Sequence, residues 1–300
     1  MTPDNQALAL LDPATLSAIS NLDILARQVV EGYFAGMHRS PFKGFSVEFA
    51  EHRLYHPGDD IRYIDWKLWA KRDRFHIKEF EAETCLSAIL AFDASASMGY
   101  QGRGAVSKLT YGIQLSAALA YLLVHQRDSA GLAVLDTAVR TLVPPHSTTR
   151  HLHSLLVALS HIRPAKRTDL GASLMRLGER LTRRGLLILL SDLWDDLERI
   201  VGGLRAFREK KHEVIVFHIL DPMELDITID RPVIVEDMEG GGRRPFTPRE
   251  REAYRRNLDQ RLDVLEKVLG EMGADYVLMT TDQNHGKSLS AYLSKRQRLH

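Results

Sequence analysis

Apolar residues recur along the chain with two different periods, and the way the periods alternate predicts the architecture. Ser87 to Phe92 runs apolar on both faces, as a strand covered by helices should. Leu186 to Leu190, Val214 to Ile219 and Tyr276 to Thr280 read as further strands. Between them lie helical patterns. Ser107 to His125 is apolar nearly all round, the mark of a buried helix. Leu152, Leu155, Leu156 and Leu159 mark another, and Leu170, Leu174, Leu177 and Leu181 a third with Asp169 near its start. Asp195 to Lys211, Arg249 to Met272 and a segment near Ser288 to Arg298 complete the helices; in the longest, Tyr254, Leu258, Leu262, Leu265 and Leu269 keep one stripe. Ala130 to Leu135 and Val139 to Val143 flank Asp136-Thr137 as a tight hairpin, which Pro144-Pro145 ends. Gly240 to Gly242 followed by Arg243-Arg244 reads as a flexible surface loop. Strand alternating with helix predicts an α/β fold, a mostly parallel sheet with helices on both faces.

Upstream of Ser87 the pattern is mixed. Residues 13 to 35 place Leu16, Ile19, Leu22, Leu25, Val29, Val30 and Phe34 at helical spacing, with Pro13 in the first turn and Gly36 at the end. A basic, turn-rich stretch from Met37 to Gly44 follows, then short strands around Val47, Phe49 and Leu54. Pro57-Gly58-Asp59-Asp60 is a turn on local grounds alone. Trp66 and Trp69 stand among Lys67, Lys71, Arg72, Arg74 and Lys78, and Ile77 to Phe80 reads as another short strand. Bases interleaved with aromatics can bind nucleic acid; a folded flap that docks its tryptophans accounts for the same residues and is preferred. The expected division is an N-terminal α+β extension over 1–84 and an α/β domain over 85–300.

Composition narrows the function classes. A chain of 300 residues with 44% apolar content can bury a sizeable core. Its 40 Lys and Arg against 39 Asp and Glu give no global push toward nucleic acid or membrane. The sole cysteine, Cys85, closes no internal disulfide and has no zinc-spaced Cys/His cluster beside it, which fits a reducing compartment and a buried residue. Met1 to Gln6 is polar, and no apolar stretch approaches the ~18 residues of a membrane span, so the expected location is the cytoplasm.

The chemistry concentrates at Leu90 to Met98, L-A-F-D-A-S-A-S-M, where a strand leaves the core and enters a loop rich in oxygens. Asp93, Ser95 and Ser97 alternate with alanines, so their side chains can converge in an extended or gently turning backbone. One carboxylate and two hydroxyls form a hard-oxygen set suited to Mg2+ or Mn2+ rather than zinc. An ion touched by a single anionic side chain keeps positive charge and still attracts an anion. The plain alternative is a polar strand end with turn-forming residues. Thr168-Asp169, after the basic loop from Arg163 to Arg167, and Ser191-Asp192, at the end of an apolar run, sit where further oxygens could emerge.

Taken in order, Asp93, Ser95, Ser97, Thr168 and Asp192 resemble the metal-ion-dependent adhesion site of von Willebrand factor A domains. The resemblance implies that the first four approach the ion, with Asp192 acting directly or through water, and that a partner's Asp or Glu fills the open position. Just upstream, Y-H-P-G-D-D-I-R-Y-I-D-W-K at Tyr55 to Lys67 and S-P-F-K-G-F-S-V-E-F-A at Ser40 to Ala50 resemble the signature of the domain of unknown function 58 family. That likeness implies a von Willebrand A-like domain and a MoxR-type AAA+ ATPase as partner.

Enzymatic readings fit less well. A magnesium phosphohydrolase using Asp93 as nucleophile wants a second Asp two residues on as general acid, and Ser95 stands there. Ser97 lacks the glycine two residues before it that a nucleophile elbow requires. No G-x-x-x-x-G-K-[ST] run is present, so ATP dependence would come from a partner. The expectation is a non-enzymatic, metal-dependent protein-binding module of adaptor or chaperone-like character.

Overall fold

The computed structural model describes residues 21–31, 49–55, 66, 69, 75–80, 86–165, 168–240 and 242–299. The chain divides into two compact units, His38–Cys85 on one hand and Met1–Met37 with Leu86–His300 on the other.

The smaller unit contains the antiparallel pair β1 (Phe49–Leu54) and β2 (His76–Phe80), with a register irregularity between Phe49 and Glu51. Tyr55 N–H donates to the Phe75 carbonyl at 3.0 Å and closes the pair. The tryptophans gather on Phe75. Trp69 stacks on it with centroids 5.7 Å apart, and Trp66 meets both rings edge-on. Most of the Tyr55 to Lys67 signature, the Pro57 to Asp60 turn and Cys85 lie outside the described residues.

In the larger unit residues 21–31 form helix α1, burying Ala26 and Val30. The expected helix over 13 to 35 otherwise lies outside the described residues. The six-stranded sheet comprises β3 (Ser87–Asp93), β4 (Ser129–Leu135), β5 (Val139–His146), β6 (Leu186–Ser191), β7 (Glu213–Leu220) and β10 (Asp275–Thr280). Their order across the sheet is β10-β7-β6-β3-β4-β5, all parallel except the antiparallel edge strand β5. β3 is thus flanked by β4 on one side and β6 on the other. Chain order reverses between β3 and β6, which makes their carboxyl ends the switch point of the sheet.

The pleat divides the core. Ile89, Ala91, Leu187, Leu189, Val214 and Val216 face one way, toward Leu174 and Leu177 of α4 (Leu170–Arg180), Leu204 and Phe207 of α5 (Leu197–Glu209), and Leu265 and Leu269 of α7 (Glu250–Glu271). The opposite face carries Leu90 and Phe92 and receives α2 (Lys108–His125), against which α3 (Thr149–Ser160) packs. Helix α8 (Gly286–Leu299) packs on β10, and α6 (Pro222–Leu225) is a single turn after β7. Among the described residues no helix is long and apolar enough to cross a membrane.

Two local expectations change. The strand after the Asp136-Thr137 turn does not stop at Pro144-Pro145 but continues to His146. It can do so because an edge strand tolerates residues without an N–H. Gly240 and Gly242 belong not to a loose loop but to a hairpin, Gly240 in its turn and Gly242 opening the second of the strands β8 (Val233–Asp237) and β9 (Gly242–Phe246), paired Val235 to Arg244 and Glu236 to Arg243. An Arg243–Glu236 ion pair at 2.9 Å ties the strands across this rung. Gly240 at φ +100° takes the left-handed step of the turn.

Gly131 of β4 sits where a side chain would not fit, since a Cβ there would come within 2.7 Å of Ile89 Cδ1 and 2.8 Å of the Val143 carbonyl. Gly131→Val should therefore lose about 1–3 kcal/mol of stability through overpacking, read as a lower urea midpoint. A midpoint equal to wild type would contradict the close approach of β3, β4 and β5.

Candidate metal centre

Asp93 ends β3 and Ser191 ends β6, so the switch point brings them side by side. Both oxygens of the Asp93 carboxylate are engaged: Oδ1 accepts the Ser95 N–H at 2.9 Å and Oδ2 accepts the Ser191 hydroxyl at 2.5 Å. The first of these curls the loop back on itself, as Asp commonly does two residues ahead. Ser95 and Ser97 then present their hydroxyls 3.0 Å apart, Ser97 opening a one-turn 3-10 helix to Gly99. The next loop is tied in through its backbone, with Ala165 N–H donating to the Ala94 carbonyl at 2.7 Å. It leads to Thr168, whose Oγ1 is buried and has no hydrogen-bond partner.

Asp192 follows Ser191 directly. Leu193 adopts φ +53°, so the chain turns sharply there, and its N–H donates to Ser191 Oγ at 2.9 Å. From below, His218 Nε2 meets the Asp192 carbonyl at 2.8 Å and Nδ1 meets the Tyr276 hydroxyl at 2.7 Å. Burial pulls the His218 imidazole down to about 4, so the ring is neutral. A neutral ring must carry its hydrogen on Nε2, facing the carbonyl, and accept from the tyrosine at Nδ1.

Sequence reasoning did not find the cation of this site. Lys108, the first residue of α2, is fully buried, and its Nζ lies 2.7 Å from Asp192 Oδ2 and 2.7 Å from Glu224 Oε1. Burial pushes the ammonium toward neutrality, but the two carboxylates outweigh it and hold it charged. Glu224 in turn accepts the Trp194 indole N–H at 3.1 Å and the Asp221 N–H at 2.7 Å. Asp221 gathers the backbone N–H groups of Gly102, Arg103 and Gly104 at 2.8–3.0 Å, which fastens the segment between the serine loop and α2. The available sequence signal was a lone lysine opening a helix otherwise apolar all round.

The charges do not balance. Burial first, and then the charge of Asp192, push the Asp93 carboxyl up to about 7 against the hydrogen bonds that favour its ionised form. Among the described residues no Lys, Arg or His forms an ion pair with Asp93, and no three of His, Cys, Asp and Glu stand together as a ready-made metal site. A divalent ion here would rest mainly on hydroxyls. The donor set of Asp93, Ser95, Ser97 and the orphaned Thr168 Oγ1, with Asp192 beside it, fits Mg2+ or Mn2+ in its preference for oxygen.

Comparison with known proteins places the chain. Residues 51–265 match the family described as Protein of unknown function DUF58. The chain belongs to the DUF58 family. An uncharacterized protein of Mycobacterium tuberculosis is 28% identical to this DUF58 protein over 293 residues, 96% of this chain and 91% of the relative. The conserved hypothetical protein BatB from Bacteroides thetaiotaomicron superposes with a TM-score of 0.50 at 20% identity, covering 71% of this chain and 99% of that one. The SpRpn10 VWA domain is matched at a TM-score of 0.37 and 10% identity, over 68% of this chain and 94% of that one. The fold of this DUF58 protein is a mostly parallel sheet flanked by helices, as in BatB.

Removing Lys108 should leave two buried carboxylates without their cation. Lys108→Met is expected to cost about 3–5 kcal/mol of unfolding free energy, with much of it recovered when Asp192→Asn and Glu224→Gln are added. Urea unfolding of the single and triple variants in excess chelator measures both. A single variant as stable as wild type would show that the ammonium does not hold these carboxylates together.

Proposed function

We propose that this DUF58 protein is a non-enzymatic, divalent-metal-dependent protein-binding module that captures an acidic side chain of a partner. One observation carries the reading: Asp93 is buried without a cation of its own at the switch point of the sheet, in the loop whose Ser95 and Ser97 hydroxyls stand 3.0 Å apart, beside a cavity of about 560 Å³ that Ser97, Tyr100, Lys108 and Trp194 help to line. Asp93, Ser95, Ser97 and Thr168 would hold Mg2+ or Mn2+, with Asp192 acting directly or through water. The ion supplies an electrophilic position for a carboxylate. Lys108 divides its charge between Asp192 and Glu224, so Asp192 opposes the ion only in part, and an ion held by Asp93 and neutral oxygens attracts an incoming anion.

The resemblance to the family supports a MoxR-type AAA+ ATPase as the partner, with the pair acting as a chaperone-like system in the cytoplasm. A phosphohydrolase built on Asp93 is disfavoured by the engagement of both carboxylate oxygens and by Ser95 in the place of a proton donor.

Calorimetric titration with Mg2+ and Mn2+ should show saturable binding that weakens by about a hundredfold in Asp93→Ala, with the circular dichroism spectrum retained. Co-purification with a MoxR-type ATPase should need Mg2+ and fail in excess chelator. Equal recovery of the ATPase with and without chelator would sink the metal-dependent reading, and turnover of a phosphate ester lost in Asp93→Asn would replace it with an enzymatic one.

A further inference from the structure

The β8–β9 hairpin has no part in the binding role described above, yet its turn reaches the metal centre. Met238 and Gly240 face solvent, whereas Glu239 between them turns inward. Asp237 sets this geometry, its Oδ1 accepting the Glu239 N–H at 2.8 Å and its carbonyl the Gly240 N–H at 3.3 Å. Met238 Cε comes 3.7 Å from the Cβ position of Gly99, so the turn lies over the 3-10 helix that carries Ser97. Residues Val235 to Glu239 form one wall of the cavity whose other walls include Ser97, Lys108 and Trp194.

At the end of this arm the Glu239 carboxylate accepts the backbone N–H of Thr168. Its Oε1 is nevertheless buried without a hydrogen-bond partner, and so is Thr168 Oγ1. The hydroxyl could have satisfied the carboxylate by donating to it, but the two do not bond. Both orphaned oxygens belong to residues that this backbone bond joins. Buried oxygens without partners are costly, and a cation satisfies both at once.

We infer that Glu239 is the chain's own carboxylate for the open position of the metal centre, delivered by the hairpin, and that an acidic side chain from a partner must displace it. This inference rests on the metal-binding reading. Glu239 does not group with Asp93 and Asp192 as a carboxylate triad. A tethered carboxylate competes at an effective concentration of roughly millimolar or more, so it excludes weak acidic ligands and yields to one that also binds elsewhere on the surface.

The test titrates Mn2+ by calorimetry into the full chain as wild type, Asp93→Ala, Glu239→Ala and Glu239→Gln, each with and without acetate at tens of millimolar, and follows amide exchange of residues 233–246. The expected result is Mn2+ affinity about tenfold weaker in Glu239→Ala and Glu239→Gln. Acetate should restore it in Glu239→Ala and leave wild type unchanged. Hairpin exchange should slow with Mn2+ in wild type and not in either Glu239 variant. Binding lost in Asp93→Ala but equal to wild type in both Glu239 variants overturns this inference and leaves the metal centre standing. A wild type that takes up no Mn2+ overturns both.

Discussion

The centre of this protein depends on how two carboxylates are neutralised where burial forbids them both to stay bare. Asp93 and Asp192 are carried to the same point by the ends of adjacent strands, and each is almost wholly removed from water. Lys108 answers one of them. The other is left with hydrogen bonds from Ser95 and Ser191, which favour its charge but do not cancel it. A buried ion pair stabilises little against an apolar substitute, whereas a buried charge without its partner is strongly unfavourable. The Lys108 pair therefore matters less for holding the fold than for deciding which carboxylate remains open to a further cation.

Much of the surrounding structure follows from fixing that asymmetry. Lys108 reaches Asp192 because α2 begins where it does, capped by Ser107 accepting the Thr110 N–H. The segment before it is fastened by Asp221, and Glu224, which completes the capping box of the same short helix by accepting the Asp221 N–H, takes the second bond from the ammonium. His218, neutral and gripped by Tyr276, holds the Asp192 carbonyl from beneath, which fixes the backbone without adding charge. Three elements distant in sequence thus converge on Asp192, of which only Lys108 neutralises it, while the loop on the Asp93 side is set mostly by contacts two residues apart, joined by the Ser191 hydroxyl from the neighbouring strand.

That contrast explains what could be read from the chain alone. The strands β3, β6 and β7 are legible because both of their faces are covered, so nearly every position is apolar. The D-x-S-x-S loop is legible because its pieces are two residues apart. Lys108 is not, for its partners lie 84 and 116 positions away and nothing local distinguishes it from a solvated lysine at a helix start. The β8–β9 hairpin was missed for a different reason. Its glycines and paired charges look like loop composition, and its strands bury little beyond Phe246, so no apolar period announces them. The prolines of β5 misled in the same way, since a rule about central strands was applied to an edge.

A hydroxyl-rich centre creates a difficulty that a carboxylate-rich one would not have. With Asp192 already paired, an ion held by Asp93 and neutral oxygens keeps excess positive charge in a cavity with low-dielectric walls, where it attracts any small anion that diffuses in. Specific capture of one acidic partner then requires that weak competitors be kept out. A carboxylate on a short tether does this: it lowers the resting charge of the ion and sets a threshold that only a partner with additional contacts surpasses. Glu239 is placed for that role by a hairpin that buries little beyond Phe246, and that small buried area lets it withdraw at little cost to the sheet. The same marginal packing that hid the hairpin from a hydrophobic pattern is what allows it to move.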